Sequence, residues 1–481
     1  MDLLIKGGIV VTPIESFKAD IGVESGKIVA IGSNLGSDAK DVIEAEGKYV
    51  LPGCIDAHTH MEMPFMGTTT IDDFEVGTTA AAFGGVTTIL DFAIQPKGTD
   101  FLQTLAMWKR KADPKVTVDY GIHLAVTDLN EELINQIPEV QDEGVNSFKL
   151  FMPYRKEGLM SDDGRIFRML EESRKLGFLV QVHAENNSVL EMLIDRNVSE
   201  GNLSAEYHAK SRPNFVEGEA IHRALTMAAA AGGNLYIVHM STEEGVAELA
   251  NMKGMANVYG ETCPHYLTLT EEKYLSPKGR RFVMSPPLRS EDDCEVLWWG
   301  LADGIISSIG TDHCAFTEAQ KDAGRDNFTR VPNGVPGTET MIPLLFSEGV
   351  RGGRISINKL VEIASYNTAK LFGLYPAKGA LTVGSDADIV VFDPDLEMDL
   401  SANNLHSKID YSIYEGFKVK GIPTHTFVRG NPVVYDRKFM GRKGLGKFVK
   451  CGKHQSVNQV SEVSLSDAGE HECECEEHHG H

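Results

Sequence analysis

The sequence predicts an α/β protein: a (β/α)8 barrel joined to a small β-sandwich built from both terminal regions. Three observations predict it. Eight short apolar or β-branched runs alternate with helical segments between residues 53 and 313. Both ends of the chain read as short strands broken by Gly, Pro, Ser and Asp. Neither end alone buries much apolar surface, so the two are expected to pair into one unit.

The elements follow in order. LLIKG, GIVVT, ADIGVE and KIVAIG are the β-rich runs of the first part of the sandwich, residues 1–52. The barrel is expected over 53–378. Its runs are GCIDAH (53–58), TTILDF (87–92), VDYGIHLAV (118–126), SFKLFM (147–152), FLVQVHAE (178–185), NLYIVHM (234–240), NVYGETC (257–263) and IISSIGTDH (305–313). Most are followed by segments of helical composition, such as IFRMLEESRKLG, and strand–helix alternation repeated this often reads as a barrel. The segment exceeds a minimal barrel of about 250 residues, so insertions are expected. INKLVEIASYNTAKLFG (357–373) predicts an amphipathic helix closing this part. ADIVVFDP (387–394) and THTFVRGNPVVYD (424–436) supply the second part of the sandwich, residues 379–440. Residues 441–481 form a tail that starts basic and then carries seven acidic side chains and no Lys or Arg over 461–481. That composition cannot build a core, so the tail is expected to be partly disordered or to pack on a neighbouring subunit.

Composition narrows the classes. The chain has 481 residues, 42% hydrophobic and 24% charged, as soluble globular proteins do. No run approaches the roughly 18 apolar residues of a membrane span, and MDLLIKGGIVV lacks the features of a secretory signal. The net charge of −23 argues against a nucleic-acid surface. Seven scattered cysteines do not make a disulfide framework, and a reducing cytoplasm is the expected location.

The chemistry gathers at the ends of the predicted strands. His58 and His60, at i and i+2, project to the same side of one strand. Both can reach one metal at the C-terminal mouth of a barrel, where active sites of this architecture lie. His183, His239 and Asp312 end three further strands. Taken singly, each histidine reads as a hydrogen-bonded core residue and Asp312 as a helix cap. Taken together, four His and one Asp at the mouth of one barrel point to a metal site. Lys149 lies between Phe148 and Leu150 in the fourth run. Burial makes its neutral amine available, and such an amine can add carbon dioxide to become a carbamate. The other reading of Lys149 is a side chain snorkelling to the barrel rim.

GCIDAHTH, SFKLFMPY, VHAE, YIVHMS, ETCPHYL, MSPPLR and GTDHCAF occur in an order and spacing that resembles the cyclic amidohydrolases of the amidohydrolase superfamily. The resemblance is greatest to dihydropyrimidinases and D-hydantoinases and covers roughly residues 1–440. It implies two divalent metal ions per subunit, usually zinc. His58, His60 and Asp312 would hold one, His183 and His239 the other. Lys149, as N6-carboxylysine made from carbon dioxide or bicarbonate, would bridge them with a hydroxide. It further implies Asp312 as proton shuttle and Tyr154 as hydrogen-bond donor to the oxyanion. Ser285 and Asn333 would hold the substrate ring through main-chain atoms. The implied reaction opens a dihydropyrimidine or 5-substituted hydantoin to an N-carbamoyl amino acid. Allantoinase on the same scaffold is the alternative. A non-enzymatic relative of the collapsin response mediator type is disfavoured because all six ligand positions are filled. The family also implies a homotetramer, with no nucleic-acid or membrane partner.

Other residues receive plainer readings. His123 reads as a core histidine. His265 belongs to a family motif but not to its metal set. His313 is expected to point away from Asp312. Cys314 reads as structural, and Asp91 as a rim or supporting group. Phe65 and Phe151 are expected as apolar pocket walls. The Arg155-Lys156-Glu157 run departs from the apolar loop the resemblance implies. His471, Cys473, Cys475, His478, His479 and His481 read as a solvated tail rather than a chelate.

Overall fold

The computed structural model describes residues 1–36 and 38–457. The chain opens with β1 (Leu3–Val11), β2 (Ser16–Glu24), β3 (Lys27–Gly32), β4 (Asp41–Glu44) and β5 (Tyr49–Pro52). It then enters a sheet of eight parallel strands. These are β6 (Cys54–Thr59), followed after a small hairpin of β7 (Pro64–Phe65) and β8 (Thr68–Thr69) by β9 (Val86–Ile94), β10 (Asp119–Ala125), β11 (Ser147–Phe151), β12 (Leu179–His183), β13 (Leu235–Ile237), β14 (Val258–Thr262) and β15 (Ser308–Ile309). The eight predicted runs are these eight strands. They pair in sequence order, and a parallel bridge between Thr59 and His313 joins the first strand to the chain leaving the last. The sheet thereby closes into a barrel. The hairpin turns at Met66 and Gly67, both with positive φ (47° and 78°), the backbone of a tight two-residue turn in which glycine fits the second place.

Helices connect the strands around the outside. Many begin at a polar cap that satisfies free backbone N–H groups, among them Asp73, Asp100, Asn130, Asp162, Asn186, Thr242 and Ser290. No described helix is long and apolar enough to cross a membrane. The predicted helix over 357–373 forms, but Glu362–Tyr366 in its middle is wound as a π-helix.

The chain ends with β16 (Ile389–Asp399), β17 (Lys418–Val428), β18 (Asn431–Tyr435) and β19 (Lys438–Phe439). They join the first five strands in one nine-stranded sheet, in which β16 pairs antiparallel with β5. Leu3, Ile5, Ile21, Val50, Ile389 and Phe427 are part of an apolar cluster belonging to this sheet. Pairing of the two ends, expected from their composition, is thus what gives both of them a core.

The tail departs from its expected place. Residues 446–452 pack on the barrel of their own chain. β10 and β11 pair only at Leu124/Phe148 and Ala125/Lys149. Below that level the tail lies against β10 and the turn that leads into β11. Tyr120 exchanges main-chain hydrogen bonds with Lys447 and Val449, and the Cys451 N–H donates to Gly144. Cys451 joins Ile55, Leu90, Leu179, Tyr236 and Phe372 in the apolar cluster beneath the barrel mouth. The tail docks through main-chain hydrogen bonds together with the side chains of Phe448, Val449 and Cys451, so its polar composition does not prevent it. Its acidic His/Cys segment lies outside the described residues.

A buried ion network ties barrel to sheet. The Lys378 ammonium bonds Asp119 of β10 at 2.8 Å, Asp388 at 2.6 Å and Asp386 at 3.2 Å. Arg429 pairs with Asp119 as well. These three carboxylates come close enough to hold a cation, and Lys378 is that cation.

Candidate metal centre

The barrel mouth brings the predicted residues together. His58 lies in β6 and His60 just past it; His183 ends β12; His239 and Asp312 lie two and three residues beyond β13 and β15. The Asp312 Oδ1 is 3.2 Å from His58 Nε2 and 3.0 Å from His60 Nε2. The three residues offer ligand atoms within 4.8 Å of one another. The His183 and His239 rings are 4.4 Å apart between centroids, and His239 is 5.3 Å from His58. Lys149, 2% exposed, reaches into this group with its Nζ 3.1 Å from His58 Nε2. It lies over the Phe92 ring at 4.3 Å and pairs with no carboxylate among the described residues. It is buried rather than snorkelling.

Local geometry explains how Asp312 gets there. Asp56 accepts hydrogen bonds from the Thr311 N–H at 3.0 Å and from its hydroxyl at 2.6 Å. The His313 N–H donates to His58 O, and the His60 N–H to His313 O. Asp312 is therefore pinned between the two histidines of β6. Its φ is 49°, that of His239 is 40° and that of Tyr154 is 72°. Three non-glycine residues of one site thus hold left-handed backbone, a conformation that persists only where the surroundings enforce it.

The charges suit a cation. Burial lowers His60 to about 4 and keeps His183 and His239 below their usual range, so these imidazoles are neutral. Burial would also raise Asp312, but His58 and His60 outweigh it and hold the carboxyl well below its usual value. At His58, burial and Lys149 disfavour a proton, yet Glu261 and Asp312 prevail and raise the pKa. The field there favours positive charge. Burial pulls Lys149 down to about 8. The Nδ1 atoms of His60 and His239 are buried with no hydrogen-bond partner among the described residues. Unpaired buried donors and acceptors are costly. Neutral imidazoles and an ionised aspartate converging on one point form a donor set that fits divalent metal.

Sequence reasoning missed the carboxylates behind the histidines. Glu261 at the end of β14 accepts from His58 Nδ1 at 2.6 Å, from the His239 N–H at 3.1 Å and from Tyr236 at 2.9 Å. This bond turns the Nε2 lone pair of His58 toward the site, the usual support of a metal-binding histidine. A Cβ on Gly310 would meet Glu261 Oε2 at 2.6 Å and the His58 Cβ at 2.9 Å, so only glycine leaves room for the pair. Glu185 accepts from His183 Nε2 at 2.7 Å and faces Arg212 at 3.3 Å. A signal existed: both glutamates stand in motifs already noted, ETCPHYL and VHAE.

A cavity of about 60 Å³ opens beside these groups. His60, Lys149, His183, His239 and Asp312 line it, with Tyr154, Ser285 and Asn333. Phe65 and Phe151 are walls, as expected, and Cys314 lines it too. Burial raises the Cys314 thiol well above its usual value, so it stays protonated. Arg155, Lys156 and Glu157 turn to solvent, with Lys156 paired to Asp195 at 2.8 Å, and Leu159 faces the cavity instead. The remaining candidates lie elsewhere. His123 bonds Ser147 and Ala57 O; His313 bonds Asp72 at 3.0 Å and accepts from the Gly337 N–H. Asp91 accepts from Thr59, Met61 and Trp108, supporting the chain around His60. His265 is buried with both ring nitrogens unpartnered among the described residues.

A parallel barrel with a histidine–aspartate cluster at its mouth defines a class, the barrel hydrolases that work through metal. The comparison with known proteins is more specific. Residues 49–433 match the amidohydrolase family, and the chain belongs to it. It is 45% identical to a D-hydantoinase of Geobacillus stearothermophilus, over 96% of this chain and 99% of that one. It is 39% identical to a dihydropyrimidinase of Rattus norvegicus, over 93% and 88%. The crystal structure of a dihydropyrimidinase from Brevibacillus agri NCHU1002 superposes with a TM-score of 0.93 at 45% identity, covering 95% of this chain and all of that one.

Proposed function

We propose that this enzyme hydrolyses the ring amide of dihydropyrimidines and 5-substituted hydantoins, giving N-carbamoyl amino acids. The observation that carries the reading is the convergence of His58 and His60 on Asp312 beside a buried Lys149. The D-hydantoinase and dihydropyrimidinase names of its relatives support the substrate class. His58, His60 and Asp312 would hold one divalent cation, and His183 and His239 a second. Lys149, carboxylated, would bridge them, and zinc is the proposed metal. When bound, such a pair supplies Lewis acidity and lowers the pKa of water.

The chain's own residues do the rest. Asp312, ionised, takes the proton of the attacking water and delivers it to the ring nitrogen as the C–N bond breaks. Burial keeps the Tyr154 phenol protonated, so it can donate a hydrogen bond to the oxyanion. It stands against Ser285 and packs edge-on to His183 at 5.1 Å. Main-chain atoms of Ser285 and Asn333 hold the ring. Residues 53–378 are the catalytic domain, 1–52 with 379–440 the second domain, and 441–481 the tail. The enzyme works as a homotetramer in a reducing cytoplasm, a location supported by the five cysteines among the described residues, all buried and unpaired.

The test is metal analysis joined to a spectrophotometric assay against dihydrouracil, hydantoin, phenylhydantoin and allantoin. Bound zinc with turnover of the first three is expected. Turnover of allantoin alone would transfer the assignment to allantoinase, and no turnover of any ring would refute it.

A further inference from the structure

Lys321 has no part in the metal centre, yet it is fully buried, with 0% exposure. It lies on the short helix Glu318–Asp322, whose start is fixed by a reciprocal cap between Thr317 and Gln320. The helix is clamped from outside, where Arg280 pairs with Asp322 and Arg281 with Glu318. From there the Lys321 Nζ donates to three main-chain carbonyls: Val283 at 2.8 Å, Pro332 at 2.7 Å and Gly334 at 2.7 Å. No carboxylate pairs with it among the described residues. Burying an ammonium is costly, and here only peptide dipoles repay it.

Those carbonyls belong to the two loops that carry Ser285 and Asn333. Both residues line the catalytic cavity, as does Gly334. The loops are joined to each other as well. The Gly334 N–H donates to Val283 O at 3.0 Å, and Asn333 Nδ2 donates to Ser285 Oγ at 2.9 Å. The Pro332 carbonyl and the Asn333 N–H are two ends of one peptide group. A cation on the carbonyl strengthens the N–H at the other end, because hydrogen bonds in a chain polarise one another.

We propose that Lys321 is the positioning residue of the ring-binding loops: its ammonium, on three carbonyls behind Ser285 and Asn333, fixes their spacing and sharpens the Asn333 N–H as a donor. This rests on the proposed reading that main-chain atoms of those two residues hold the substrate ring. Lys321 touches neither the reacting atoms nor the metal ligands. It therefore acts on ring binding and not on the hydrolytic step.

The experiment compares wild type, Lys321→Met and Lys321→Gln for KM and kcat on dihydrouracil and hydantoin, with zinc content and melting temperature. Lys321→Met keeps the bulk and removes every donor; Lys321→Gln keeps two. KM is expected to rise about tenfold or more in the Met variant, the loss of roughly one hydrogen bond's worth of binding. The Gln variant should fall between, with kcat little changed and zinc content equal to wild type. If the Met variant does not fold, the Gln variant carries the comparison. Thr317→Ala removes the cap of the same helix without touching the three carbonyls, and its KM should stay at the wild-type value. An unchanged KM in the Lys321 variants overturns the proposal. So does an equal rise in Thr317→Ala, or a fall in kcat and zinc at constant KM. Wild-type enzyme inactive on both rings would instead refute the functional reading itself.

Discussion

Glu261 and His58 meet at 2.6 Å past the intervening β15, although 203 residues separate them in the chain. The same carboxylate also holds the backbone of His239 and the hydroxyl of Tyr236. A single carboxylate thus orients one proposed ligand from each half of the metal site.

Glu261→Gln should therefore weaken metal binding by about tenfold to a hundredfold, the usual cost of losing such a supporting carboxylate. Competition with a chromophoric chelator measures this directly. Affinity equal to wild type would mean that the His58 ring is oriented by something else.

Lys149→Ala should abolish nearly all turnover if carboxylated Lys149 bridges two cations as proposed. Short-chain carboxylates added to the assay should restore part of it by occupying the vacated space. Full activity in the variant would remove the carbamate from the mechanism.

Tyr154→Phe removes one donor and leaves the ring in place against His183. A drop in kcat of about a hundredfold to a thousandfold is expected, as for other oxyanion donors. KM and zinc content should change little, and a variant that retains wild-type kcat would exclude the phenol from oxyanion stabilisation.

Lys378→Met tests the ion network between barrel and terminal sheet. In the native protein burial disfavours the Lys378 ammonium, but Asp388, Asp119 and Asp386 outweigh it and raise the pKa. That stabilisation is fully present below the unfolded lysine's pKa and is lost only as pH rises through the higher folded value. Burial already raises Asp388. Without the lysine its carboxyl would rise further and bind a proton in the folded state more readily than in the unfolded one, so stability would fall as pH increases. The variant should lose about 3–5 kcal/mol near pH 8 and recover part of that near pH 5. Denaturant melts at the two pH values decide it; a pH-independent loss would point to packing alone.

What was legible in the sequence follows from which interactions are local. The barrel strands could be read because each is a contiguous apolar run. His58 with His60 could be read because their spacing is local too. The last strand is only Ser308–Ile309, since the chain after it is spent placing Asp312. Glu261 and Lys321 gained their roles from partners farther along the chain, while Glu185 bonds His183 two residues away, inside a motif that was read for its histidine alone. The positive φ of His239 and Asp312 was equally hidden, because that conformation is uncommon even for the Asp and His types that are enriched in it. The π-turn at Glu362–Tyr366 keeps the composition of an ordinary helix. The docking of residues 446–452 escaped notice because main-chain hydrogen bonds carry much of it.

That docking bears on how the molecule comes into being. The seam between β10 and β11 is sealed by amino acids translated well after the last barrel strand. A nascent polypeptide can lay down all eight staves and still lack the wedge that shuts this gap, so assembly of the catalytic floor waits for synthesis to pass residue 452.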